Sequence, residues 1–137
     1  MTTALRPRNA TPPSPRSENG DSGETFRRGA LLVARHGWCQ GQGLLYVGSP
    51  HAPQAVSLVG ALAWAATGDA QSCSPEVQEA MATVRARLDP EGRAAFSDQE
   101  LLCAWNDTPG RTRDQIVALL LSCRHPTLLF RGRTDVL

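Results

Sequence analysis

The sequence predicts an all-α protein, a small orthogonal or bundle-like domain of about five helices with a possible minor two-stranded ribbon. Three observations carry this expectation. Apolar residues recur at helical spacing in several segments, helix-start signals precede those segments, and the connections between them are short.

The first periodic segment starts at Glu24, where Phe26, Ala30, Val33 and Gly37 recur at i, i+4, i+7 and i+11. Gly37 fits the residue that stops such a helix. The glycines and prolines of GQGLLYVGSPHAP then mark a loop, within which LLYV reads as a short strand. The next helix is expected from Pro53 to Gly68, with Val56, Val59, Leu62 and Ala63 facing inward. Gly60 and Ala61 would permit close helix packing, with Trp64 covering the approach to Gly60.

Ser74–Pro75–Glu76 combines a cap, a first-turn proline and a favourable charge, so a helix follows, carrying Val77, Met81, Val84 and Leu88. Asp89–Pro90–Glu91–Gly92 ends it. Ser97 to Glu100 and Thr112 to Gln115 match the capping-box pattern and open two further helices. The last presents Ile116, Leu119, Leu120 and Cys123 and stops at His125–Pro126. The later segment TLLFRG is the candidate to pair with LLYVG as the ribbon.

The expected organisation is an arm over residues 1–25, a helical domain over 26–123 and a basic tail over 124–137. The arm is rich in Pro, Ser, Gly and charge, so composition reads it as disordered. A chain of 137 residues suffices for one core. All fourteen basic residues are Arg; the absence of Lys removes Schiff-base and P-loop lysine chemistry. The net charge of +1 conceals +2 in residues 1–29 (five Arg, three acids), −4 in 30–107 (four Arg, eight acids) and +3 in 108–137 (five Arg, two acids). That is a poor overall nucleic-acid footprint, although Arg124, Arg131 and Arg133 supply a basic tail able to meet phosphate.

The apolar run after Arg27–Arg28 is too short for an export signal, and no apolar stretch approaches the roughly 20 residues of a membrane span. A cytoplasmic location is therefore expected, with Cys39, Cys73, Cys103 and Cys123 reduced.

Two tryptophan-containing strings stand out, HGWCQG (residues 36–41) and WNDTPGRT (residues 105–112). With the intervening GAL (residues 60–62), they resemble a family of small uncharacterised bacterial proteins that carry a domain of unknown function. The resemblance covers roughly residues 26–123 and implies no activity, cofactor or catalytic residue. Many members of that family have a Cys three residues before the GAL glycine, where this chain has Ser57. A pairing or shared metal between that position and Cys39 is thus unavailable here.

Read as residues, Trp38 and Trp105 are structural anchors, Asn106 and Asp107 suit Asx-turns, Pro109–Gly110 suits a type II turn, and Thr112 is a helix cap. The functional alternative is a polar cleft of His36, Cys39, Gln40, Asn106, Asp107 and Arg111, housing a small enzyme or metal site. His36-x-x-Cys39 and Cys123-x-His125 could supply four ligands, but the second pair fits the usual structural-zinc spacing poorly. Cys39, just past a helix C-terminus, sits where thiolate is disfavoured. Arg85 and Arg87 read as a solvated helix face, and His51 as an exposed loop residue.

No catalytic residue, metal or cofactor is assigned. The reading favoured by the sequence is a small cytoplasmic accessory or protein-interaction domain with an unknown protein partner and no membrane contact. A nucleic-acid-associated regulator using the C-terminal arginines, and the cleft enzyme, are the alternatives.

Overall fold

The computed structural model describes residues 14–123, with side chains from Gly23 onward. Among them are five helices and one two-stranded antiparallel ribbon, so the fold is mostly α with a minor ribbon. The TLLFRG segment proposed for the ribbon, and Arg124, His125, Arg131 and Arg133, lie outside the described residues.

Helix α1 runs Ser14–Arg35. It begins ten residues before Glu24, so the part of the composition-defined arm from Ser14 onward is helical. Pro15 falls in the first turn, where its missing N–H costs no helical hydrogen bond, and no further proline follows until Pro50. Phe26, Ala30, Leu32 and Val33 turn inward and are buried.

Gly37 ends α1 with a backbone φ of +147° and turns the chain into an extended stretch. That stretch lies parallel to Val56: Val56 N–H donates to the Gly37 carbonyl at 3.1 Å, and Cys39 N–H donates to Val56 at 3.0 Å. Strand β1 (Tyr46–Gly48) and strand β2 (Pro53–Val56) form the ribbon, pairing Tyr46 with Val56 and Val47 with Ala55.

Pro53 therefore opens a strand and not the second helix. Proline is tolerated in both places, at a first strand residue and in a first helical turn, so that signal does not separate them. Helix α2 instead spans Leu58–Thr67, with Ser57 as its N-cap and the left-handed Gly68 as its stop.

Gly60 has a different role from the one expected. A β-carbon there would collide with the Leu45 carbonyl, so it admits the backbone entering β1 and not a neighbouring helix. Trp64 does not cover it; its indole N–H donates to the His51 carbonyl at 3.2 Å and helps hold the exposed β1–β2 turn. The close helix contact is made by Gly29 of α1, whose β-position lies 3.4 Å from the Ala61 carbonyl oxygen and 3.7 Å from the Ala65 methyl. Arg28 beside it donates to the Ala65 carbonyl, bringing positive charge to the C-terminal end of α2.

Helix α3 (Pro75–Leu88) follows. Ser74 has the backbone conformation of an N-cap, but its hydroxyl accepts no hydrogen bond from the helix. Helix α4 (Asp98–Asn106) and helix α5 (Arg113–Ser122) each start with the complete capping box their sequences announce.

Arg85 corrects another expectation. Its side chain is only 18% exposed and links the α3–α4 loop, reaching Asp89, Asp98 and the Ala94 and Phe96 carbonyls. The core lies where α1 to α5 meet, with Leu58, Leu62, Met81, Leu102, Ile116 and Leu120 at its centre. Burial of each such side chain contributes about 1.5–3 kcal/mol.

Candidate functional site

The two tryptophan strings meet. Each leaves a helix, α1 through Gly37 and α4 through Asp107, and the two exits lock together beside the start of α2.

Asn106 is the centre of this junction. It is 1% exposed, a burial that demands hydrogen-bond partners. Its Oδ1 accepts from Trp38 Nε1 at 2.8 Å and from Leu58 N–H at 3.0 Å. Its Nδ2 donates to the Cys39 carbonyl at 3.2 Å and to Asp107 Oδ1 at 3.0 Å. Both donor hydrogens and two acceptor positions of the amide are thus in use. The Leu58 contact satisfies one of the free N–H groups at the start of α2, while Ser57 Oγ accepts from Gly60 N–H.

Asp107 completes the junction. Its Oδ1 accepts from Gly41 N–H at 2.8 Å and its Oδ2 from Gly43 N–H at 3.0 Å. Gly41, Gln42 and Gly43 have φ of +119°, +52° and +73°, which aims those amides at one carboxylate. Such a concave run of N–H groups is an anion nest, and here the chain fills it with its own side chain. Partial burial pushes the Asp107 carboxyl up. The two glycine amides and Asn106 outweigh it and hold the carboxyl below its ordinary value.

Gln40 reinforces the link, donating from Nε2 to the Asn106 carbonyl at 2.9 Å. Trp38 and Trp105 are half-buried and pack on the core, rather than lying fully within it. Thr112 caps α5 through Gln115 N–H at 3.2 Å.

The chain carrying this junction matches, over residues 19–125, the group described as Family of unknown function (DUF6197). It belongs to that family. No curated protein and no solved structure matches it.

Of the six cleft candidates in this DUF6197 domain, Cys39, Gln40, Asn106 and Asp107 come together, but Cys39 enters through its backbone carbonyl. His36 stays exposed at the end of α1, and its ring hydrogen-bonds to no described residue. Arg111 folds back on its own segment, with Nε donating to the Trp105 carbonyl at 2.9 Å and its guanidinium 3.8 Å from the Trp105 ring centroid.

Burial, and then the Asp107 carboxylate, push the Cys39 thiol above its ordinary value, and the same two causes act on Cys103. This is the opposite of what activates a nucleophilic cysteine. Among the described residues no group of three or more His, Cys, Asp or Glu side chains is placed to hold a metal ion. Cys123, fully buried, follows α5 at the far end of a helix about 15 Å long.

The residues that the sequence reading missed contribute backbone groups: the N–H of Gly41, Gly43 and Leu58. The only local signal for them was the GQG string, whose glycines permit positive φ.

Proposed function

We propose that this chain is a small cytoplasmic accessory or protein-interaction domain, and that its two tryptophan strings are a structural clasp. The observation that supports this most is Asn106, whose amide is wholly engaged in joining the two helix exits to the start of α2. The neighbouring carboxylate is likewise held by backbone amides, and the nearby thiol is protonated more firmly than an ordinary cysteine. A general base or nucleophile works best with an unengaged basic atom, whereas the Asp107 carboxylate is bound by two amides and the Cys39 thiolate is disfavoured. No helix among the described residues is long and apolar enough to cross a membrane.

The test combines native co-purification with a thermal-shift screen of metabolites and divalent metals. The proposal expects a stoichiometric protein partner and no shift that depends on Cys39 or Asp107. A strictly partner-free protein, stabilised by a small molecule through those residues, would support an enzyme instead.

A further inference from the structure

Helix α5 is apolar around its circumference from Ile116 to Leu121. One side is accounted for: Ile116, Leu120 and the following Cys123 have no exposure. The opposite line, Asp114, Ala118 and Leu121 at i, i+4 and i+7, is exposed, with Leu121 at 40%. Helices that are apolar all round are ordinarily covered all round. Asp114, at the head of this line, forms no ion pair with a described residue.

The chain itself continues directly from α5 with fourteen residues, RHPTLLFRGRTDVL. Pro126 lacks the N–H that a continuing helix needs and disfavours helical backbone at His125, so the sequence favours an exit from the helix here. Leu128, Leu129 and Phe130 follow, then Arg131 and Arg133. The lengths agree. Leu121 to Asp114 is seven helical residues, about 10 Å. Leu128 to Arg131 is three residues, also about 10 Å when extended. An antiparallel return would set Leu128 and Phe130, which share one side of an extended segment, over Leu121 and Ala118, and would carry Arg131 and Arg133 to the level of Asp114, within reach of their long side chains.

We propose that the C-terminal segment Thr127–Arg133 docks in cis on the outer face of α5, with Leu128 and Phe130 covering Ala118 and Leu121 and an arginine meeting Asp114. This gives the tail arginines an intramolecular carboxylate partner and makes the α5 face a surface that the chain guards itself.

The experiment places a reporter thiol on the helix by Ala118→Cys in the full chain. Its maleimide reaction rate is read by peptide-resolved mass spectrometry against that of exposed Cys73 in the same molecule. Adding Leu128→Asp and Phe130→Asp should raise the 118/73 rate ratio about tenfold or more and lower Tm by roughly 3–6 °C. An unchanged ratio overturns the proposal. So does protection that grows with protein concentration, because a second copy is then the cover. A cross-check is Asp114→Asn, which should raise the same ratio at low salt; no change there removes the proposed ion pair.

Discussion

At the scale of single residues, Asn106 carries more of this fold than its size suggests. Truncation to Ala would strand the Trp38 indole N–H and the Leu58 amide, each at a cost of about 1–3 kcal/mol. Asn106→Ala is therefore expected to lose roughly 2–6 kcal/mol in denaturant unfolding. A loss under 1 kcal/mol would mean those donors find other partners. The cysteines make a second residue-scale prediction. Cys73 is exposed, whereas Cys39 and Cys103 are half-buried with raised thiol values and Cys123 is fully buried. Alkylation of the native protein at neutral pH should take Cys73 first and Cys123 last. Faster reaction at Cys39 than at Cys73 would revive the nucleophile.

At the scale of elements, the entry to α2 is the most constrained place in the chain. Ser57 and Asn106 cap it from inside and outside, and Gly60 lets the Leu45 backbone pass against it. Gly60→Ala would ordinarily favour a helix by about 1 kcal/mol. Here the methyl meets a backbone carbonyl, which cannot rotate away as a side chain would, so the variant should be net destabilised by about 1–3 kcal/mol. A more stable variant would show that β1 is free to move. The two capping boxes were legible in the sequence because both partners lie three residues apart. Pro53 and Gly60 were misread because each residue type suits two settings, and only a distant neighbour chooses between them. Arg85 was misread for the same reason, its partners lying as far on as Asp98.

At the scale of the whole molecule, helix number, the ends of most helices and the inward faces were legible, because each follows from local periodicity. The clasp was legible only as two suspicious strings. Asn106 and Asp107 look like residues for a local turn, and nothing nearby reveals that Trp38 and Gly41, their partners, lie 68 and 66 residues away. The clasp also makes a global prediction for pH. The Asp107 carboxyl is held below its ordinary value in the folded protein, so its contribution is fully present above about pH 4. It is lost as pH falls through the lower folded value. Asp89, held low by the Ala94 and Arg93 amides, acts in the same window. Asp107→Asn should be less stable at neutral pH yet lose less stability on acidification than the wild type. Equal acid slopes would mean that the nest does not grip the charge.

The most direct measurement is a thermodynamic cycle of Trp38→Phe, Asn106→Ala and the double variant, followed by urea unfolding. If the two strings form one clasp, the double variant loses less than the sum of the singles, by about 1 kcal/mol. Strict additivity, with each variant acting alone, would contradict the clasp.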